Sequence, residues 1–129
     1  MNKTEHQTST TVDREALPVL RDTAMDELRE EGEDFLIDLI ELFLRETPAR
    51  LALLATAIAK GDRPTAERAA HTLKGTAAVF GADAMQAVAA AAELAARAGE
   101  LGEVARLLDE LQTASERVRL ALLAACTSH

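Results

Sequence analysis

Apolar residues recur at spacings of three and four along most of the chain, which predicts helices rather than strands. The longest apolar stripe lies within residues 34–60 and predicts a helix of some 40 Å, at about 1.5 Å per residue. Its members are Leu36, Leu39, Ile40, Phe43, Leu51, Leu54 and Ile58. Because the stripe keeps its phase beyond Pro48, we expect the helix to kink at that proline without ending there.

A glycine and a proline mark the end of this helix and the start of the next. The segment Gly61-Asp62-Arg63-Pro64 combines a helix-stopping glycine with Asp62 as an N-cap and a proline that a first helical turn tolerates. The helix that follows is predicted to reach about Phe80, because Gly81 interrupts its pattern.

Two more helices are predicted after Gly81. One covers about residues 82–98, and the other begins at Gly102 and fades by Cys126. A short helix over about residues 23–30 precedes the long ones, introduced by a Thr-x-x-Asp capping box. Four long helices with short connections predict an all-α fold, an antiparallel up-and-down four-helix bundle with a short extra N-terminal helix.

The polar beginning of the chain lacks this periodicity. We predict a disordered lead over residues 1–15 and one helical domain over residues 16–126. At 129 residues the chain has enough length for one hydrophobic core but not for two. The lead and a last helix that runs almost to His129 favour a free-standing protein over a fragment of a longer one.

Composition and charge narrow the functional classes. The core must be built mainly from aliphatic side chains, because the chain has three Phe and neither Trp nor Tyr. A net charge of −8 argues against binding to nucleic acid or to an anionic membrane surface. The sequence has no apolar run of membrane-spanning length, and its single cysteine permits no internal disulfide. We therefore expect a cytoplasmic protein.

The candidate chemistry lies on the helix that precedes Gly81. His71 is about 200° around the helix from Leu73, so it points away from the apolar stripe. Lys74 and Gly75 follow three and four residues later, on the histidine's own face. A glycine inside a helix costs about 1 kcal/mol relative to alanine, which favours a place where a partner comes close. The alternative is an ordinary solvated histidine.

An acidic residue is expected beside this histidine. His71 and Glu93 are each eleven residues from Ala82, and residues equidistant from the turn of a helical hairpin lie side by side. A carboxylate bonded to one ring nitrogen fixes the imidazole tautomer and leaves the other nitrogen free as a nucleophile. Spacing alone also leaves open that Glu93 is an ordinary surface glutamate.

Residues 71–82, HTLKGTAAVFGA, resemble the signature of histidine-containing phosphotransfer (HPt) domains, roughly H-x-[LI]-K-G-[SAT]-[SA]-x-x-x-G-[AF]. Thr76 and Ala77 stand where many members of the family carry two serines. The resemblance covers about residues 20–124 and is also carried by Phe35-Leu36, Phe43-Leu44-Arg45-Glu46-Thr47-Pro48, Gly61-Asp62 and Glu93-Leu94.

The resemblance implies a role for each site residue. His71 corresponds to the phosphorylated histidine, Lys74 to the lysine that neutralises phosphoryl charge, and Gly75 to the glycine that gives partners access. Glu93 corresponds to the residue that orients the imidazole. The protein is then a phosphorelay intermediate, which takes a phosphoryl group from a receiver-domain aspartate and passes it to another receiver domain.

The resemblance also implies partners. We expect response-regulator receiver domains and a hybrid sensor histidine kinase, with Gly75 and Ala78 leaving space for docking. Arg68 either steers the phosphoryl group or is simply solvated. The receiver is expected to supply Mg²⁺, whereas this domain should bind no metal or other cofactor. Without an ATP-binding pattern we expect no autokinase activity, and we expect a monomer.

Two other functional classes compete with this interpretation. A helical module could dock a receiver or kinase domain without being phosphorylated, but such a binder would not need the set formed by His71, Lys74 and Gly75. A metal- or ligand-binding bundle is the second class. It is disfavoured because the sequence offers no second inward histidine and no carboxylate quartet.

Overall fold

A computed structural model describes residues 13–127, and all regular secondary structure in this range is helical. A 3₁₀ turn, Arg14–Ala16, is followed by five α-helices: α1 (Asp22–Glu30), α2 (Glu33–Lys60), α3 (Arg63–Val79), α4 (Asp83–Arg97) and α5 (Leu101–Thr127). The described residues contain no strand, so the all-α prediction is confirmed.

The predicted disordered lead lies largely outside the described residues, which begin at Asp13. Within its described part, the guanidinium of Arg14 forms an ion pair with Glu110 of α5 at 3.1 Å. The domain boundary between residues 15 and 16 stays a prediction.

Most of the predicted helix ends agree with the structure. Helix α2 is 28 residues long and continues through Pro48. It ends at Gly61, which adopts the left-handed conformation with φ of 69°. The carboxylate of Asp62 accepts a hydrogen bond from the Thr65 backbone N–H at 3.2 Å, so Asp62 is the N-cap of α3 as predicted.

The predicted capping box at the start of α1 is wrong. The helix begins at Asp22, before Thr23, and its N-cap residue Arg21 forms no side-chain cap hydrogen bond. The Arg21 backbone N–H instead donates to the carbonyl of Gly81 at 2.9 Å. A tertiary contact with the α3–α4 turn therefore accompanies the start of α1, and a local sequence pattern could not reveal it.

The four long helices enclose one core. Helix α3 packs against α2 and α4, and α5 packs against α4 and α2. Phe43 of α2 and Phe80, which follows α3, meet edge to face with ring centroids 5.7 Å apart. The other largest fully buried side chains are Leu36, Ile40, Leu54, Leu73, Met85, Leu107, Leu111, Leu122, Val104 and Val118.

Small side chains line the contact between α3 and α4. On α4 the alanines Ala89, Ala92 and Ala96 are fully buried, and Ala66 and Ala70 are fully buried on α3. A methyl group occupies less space between two helices than a larger side chain does. These alanines therefore let the backbones of α3 and α4 approach closely. The approach positions α4 side chains against the face of α3.

The turn that joins α3 and α4 is held by the segment before α1. Besides the Arg21 contact with Gly81, the Ala84 N–H at the start of α4 donates to the Pro18 carbonyl at 3.0 Å. The Arg21 guanidinium also pairs with Asp83 at 3.0 Å. These contacts hold the turn in place, and the turn sets which residues of α3 lie opposite which residues of α4.

None of the helices in residues 13–127 combines the length and the apolar character that crossing a membrane requires.

Candidate functional site

His71 lies near the middle of α3 with its imidazole on the surface. Its side chain is 66% exposed, and its Nδ1 atom is 2.9 Å from Oε2 of Glu93. The contact predicted from equal spacing about the turn is therefore present. Because a carboxylate can only accept, the neutral imidazole carries its hydrogen on Nδ1 and keeps a lone pair on Nε2.

Glu93 is a buried carboxylate surrounded by donors. It is only 6% exposed, so the alternative of an ordinary surface glutamate does not hold. Lys74 Nζ lies 2.7 Å from Oε1, and Arg97 Nη2 lies 3.1 Å from Oε2. The hydrogen bond from Lys74, followed by that from His71, lowers the pKa of Glu93 against the opposing effect of burial. Glu93 is therefore ionised at neutral pH.

Arg97 and Glu67 extend this arrangement, and the sequence reasoning missed both. Arg97 donates through Nε to Glu67 Oε2 at 2.9 Å while its Nη2 holds Glu93. Two signals could have found them. Arg97 follows Glu93 by four residues on one helix, and Glu67 and Arg97 are each fifteen residues from Ala82.

Lys74 belongs to this cluster in the structure. Its ammonium is bound to Glu93 Oε1, and its side chain is 33% exposed. It lies one turn after His71 on α3, within reach of the same carboxylate. The role implied for it, neutralising a phosphoryl group, stays a prediction at this point.

Gly75 and Ala78 lie on the exposed face of α3. A methyl group added at Gly75 would meet no atom within 4 Å, so the chain's own packing does not require a glycine there. Arg68 is also exposed, but its Nη2 donates to Thr65 Oγ1 at 3.2 Å. The structure therefore places Arg68 with the first turns of α3 rather than with Glu93.

An apolar groove adjoins this surface between α2 and α3. It has a volume of about 300 Å³ and is lined in part by Leu42, Thr72, Thr76 and Val79. Leu42 and Val79 are exposed apolar side chains, and Thr72 directly follows His71. The groove gives the site an apolar border suited to a protein partner.

The arrangement favours attack on an anionic electrophile. It offers an exposed Nε2 lone pair on an imidazole whose tautomer is set by a buried carboxylate, with Lys74 and Arg97 supplying positive charge next to it. Within residues 13–127 we find no group of three His, Cys, Asp or Glu side chains placed to hold a metal ion.

Comparisons with known proteins agree with this chemistry. A family model described as "Hpt domain" matches residues 38–121, a range that includes His71, Lys74, Gly75 and Glu93. Among solved structures, the chain is similar to the crystal structure of histidine-containing phosphotransfer protein B (HptB) from Pseudomonas aeruginosa PAO1. The two share 26% sequence identity with a TM-score of 0.81, over 87% of this chain and 97% of that chain. The search of curated proteins returns no match.

Proposed function

This chain belongs to the Hpt domain family and is a histidine phosphotransfer protein of a phosphorelay, and we propose that His71 carries its phosphoryl group. The observation that supports this assignment is the hydrogen bond of 2.9 Å between His71 Nδ1 and the buried Glu93. The chain has two other histidines, and both lie outside the range matched by the family model.

The transfer step follows from the tautomer. The Nε2 lone pair attacks the phosphorus of a receiver's aspartyl phosphate, a P–N bond forms, and the P–O bond breaks to release the aspartate carboxylate. The imidazole keeps its hydrogen on Nδ1 and becomes positively charged. Glu93 accepts that hydrogen bond, so it both orients the ring and stabilises the charge that develops on it. The reverse step passes the group to a second receiver.

The remaining catalytic parts are divided between the partners. Phosphoryl transfer depends mainly on positioning and charge neutralisation. In this proposal Lys74 supplies a cation for the phosphoryl oxygens, and the receiver supplies its aspartate, its lysine and a Mg²⁺ ion. The domain itself binds no metal or cofactor and has no autokinase activity.

Hpt domains interact with receiver domains in phosphorelays. We place the docking surface of this chain on the exposed faces of α3 and α4 around His71, where Gly75 and Ala78 leave space. Val79 and Leu94 are exposed apolar side chains on the same two helices and supply contact area. Arg68 lies at the edge of this surface.

The wider setting is also part of the proposal. We propose an antiparallel arrangement of the four long helices, which is supported for α3 and α4 by the pairing of His71 with Glu93 and of Glu67 with Arg97. The proposed protein is a cytoplasmic monomer whose phosphoryl group comes from a hybrid sensor histidine kinase through a receiver domain. A binding module that is never phosphorylated is not favoured.

Intact-mass measurement tests the assignment of His71. The full chain is incubated with a phosphorylated receiver domain, and in parallel with phosphoramidate, and its mass is followed at neutral and acid pH. We expect one phosphoryl group, lost in acid, in the wild-type protein and none in His71→Gln. Helicity should be retained in the variant, because the histidine is exposed.

The matched control replaces the other two histidines, His6 and His129, with glutamine. This double variant should be labelled like the wild type. Labelling that survives in His71→Gln would refute the assignment. A wild-type chain that no donor labels would favour the binding module.

A further inference from the structure

Five side chains form one charge network at the site, which we call the Glu93 cluster: Glu67, His71 and Lys74 on α3, and Glu93 and Arg97 on α4. Two carboxylates and two fixed cations balance each other while the imidazole is neutral. Phosphorylation of His71 adds negative charge to this balanced network. The added charge therefore favours a rearrangement of the network when the phosphoryl group arrives.

Glu93 limits how that rearrangement can occur. It is 6% exposed and ionised, and a buried charge that loses its only counter-ion is strongly destabilised. Its two cations contact different oxygens, Lys74 at Oε1 and Arg97 at Oε2. One cation can therefore leave while the other remains.

The two cations are held differently: Lys74 makes the shorter contact with Glu93, 2.7 Å against 3.1 Å, whereas Arg97 is also bound to a second carboxylate. Arg97 bridges two carboxylates, with Nε on Glu67 and Nη2 on Glu93, so moving it breaks both contacts. Lys74 makes its ion pair with Glu93 through a compact ammonium on a flexible stem of four carbons. Lys74 is also on the histidine's own helix face, three residues from His71. It is the cation that can follow the phosphoryl group.

We propose that Arg97 is a positioning residue that stays on Glu93 as its counter-ion while the Lys74 ammonium leaves Glu93 for the phosphoryl group on His71. The inference rests on the proposed function, since it requires phosphorylation of His71. Arg97 acts through Lys74 and does not itself contact the reacting atoms. No bond changes beyond the transfer step already given, and the hydrogen stays on Nδ1 with Glu93 accepting its hydrogen bond.

The proposal predicts how loss of Arg97 affects the rate. In Arg97→Gln, Lys74 is the one remaining fixed cation of the cluster, and its departure would leave Glu93 only the imidazolium that forms during the transfer. We therefore expect phosphorylation by phosphoramidate to slow about tenfold, a size typical of coupling within one ion-pair network. Arg97→Lys should recover part of this loss, because an ammonium can hold Glu93 but cannot also bridge to Glu67.

A double-mutant cycle with Glu93→Gln separates this role from a structural one. The glutamine removes the buried charge but keeps an oxygen that can accept the Nδ1 hydrogen bond. Lys74 is then free in either background, so adding Arg97→Gln to Glu93→Gln should cost less than about twofold. An equal loss from Arg97→Gln in both backgrounds would overturn the proposal.

Two further variants complete the design. Arg106 is the matched control, because its side chain is 57% exposed, against 56% for Arg97, and it also pairs with two carboxylates, Glu103 and Glu110. Arg106→Gln should leave the rate unchanged. Glu67→Gln loosens Arg97 without removing it and should slow labelling about two- to threefold. It serves as the test if Arg97→Gln does not fold.

The outcomes distinguish the two levels of the argument. If the wild type is not labelled at His71, the proposed function fails and the inference fails with it. If His71 is labelled but the Arg97→Gln and Glu67→Gln variants react like the wild type, the proposed function stands and the role of Arg97 is refuted. A loss in Arg97→Gln that disappears in the Glu93→Gln background supports the exchange.

Discussion

Gly75 and Gly81 lie six residues apart, yet their surroundings are opposite. At Gly81, in the α3–α4 turn, an added methyl group would lie 2.7 Å from Ala24 Cβ and 2.8 Å from Arg21 Cβ, and φ is +63°. At Gly75, beside His71, it would meet nothing within 4 Å, and the backbone is ordinary helix. The chain's own packing requires the first glycine but not the second.

The two glycines differ in that the fold requires Gly81, whereas we propose that function requires Gly75. The segment around Arg21 covers the turn end of the α3–α4 pair. The residues of that turn are therefore constrained by packing within the fold. The site end exposes an imidazole and a bare stretch of helix, and the fold alone gives no reason for the glycine there. A cost of about 1 kcal/mol with no internal compensation indicates a requirement from outside the chain, such as a docking partner.

The largest effect is expected at the turn end. Gly81→Ala should lower the free energy of unfolding by roughly 2–5 kcal/mol, because it combines a left-handed backbone with overlap onto Ala24 and Arg21. Chemical denaturation followed by circular dichroism measures the loss.

Gly61 provides a matched control for that change. It also has a left-handed backbone, with φ of +69°, but an added methyl group would meet nothing within 4 Å. Gly61→Ala should therefore show the backbone cost alone, roughly 1–2 kcal/mol. Equal losses in the two variants would mean that the close approach at Gly81 contributes nothing.

A bulky residue at the site end should act on docking rather than on folding. Gly75→Leu projects a side chain from the open surface beside His71, so we expect receiver affinity to fall at least about tenfold, or about 1.4 kcal/mol. Thermal unfolding should change little. Titration calorimetry with a receiver domain measures the affinity, and Gly102→Leu on α5, also in open space, is the control. Unchanged affinity in Gly75→Leu would remove the docking argument.

Removing the buried charge should have a moderate effect that depends on pH. Glu93→Gln should lower the free energy of unfolding by about 1–2 kcal/mol at pH 7, since Lys74 and Arg97 can turn to water once the carboxylate is gone. The pKa of Glu93 is lowered in the folded protein, so its contribution is present above the ordinary value of 4.5 and is lost as pH falls through the folded-state pKa.

Denaturation at several pH values checks this prediction. The difference between wild type and Glu93→Gln should shrink as pH falls below about 4.5. A difference that persists unchanged well below this pH would contradict the assignment of an ionised Glu93.

Replacing Gly75 without adding bulk should have the smallest effect, and the change should be stabilising. Gly75→Ala should raise the free energy of unfolding by about 0.5–1 kcal/mol, because alanine suits a helix interior and its methyl group has space. Gly102→Ala, in the first turn of α5, serves as a helical control. A loss of stability in Gly75→Ala would show that the bare surface has a structural role after all.

Much of the fold could be predicted because its signals are local. The three- and four-residue spacing of apolar side chains marked the long helices, and Asp62 marked the start of α3 through its own side chain. The start of α1 was predicted wrongly, because the Arg21 backbone is bound to Gly81 across the fold and not to a neighbour in sequence.

At the site, too, some features could be predicted from the sequence and others could not. Helix phase alone placed His71, Lys74 and Gly75 on one surface, and equal distance from the turn brought Glu93 to His71. These follow from the sequence because a straight helical hairpin has a fixed rise and a fixed angle per residue. The same arithmetic would have found Arg97 opposite Glu67.

The way in which charge is shared at this site follows from the packing of the folded chain. The burial of Glu93 and the attachment of Lys74 and Arg97 to different carboxylate oxygens depend on the distance between α3 and α4 and on side-chain conformations. A periodic pattern gives the direction in which a side chain leaves its helix, but not which of several opposite charges it binds. The sequence determined which residues could meet, and the packing of α3 against α4 determined which of them share a charge.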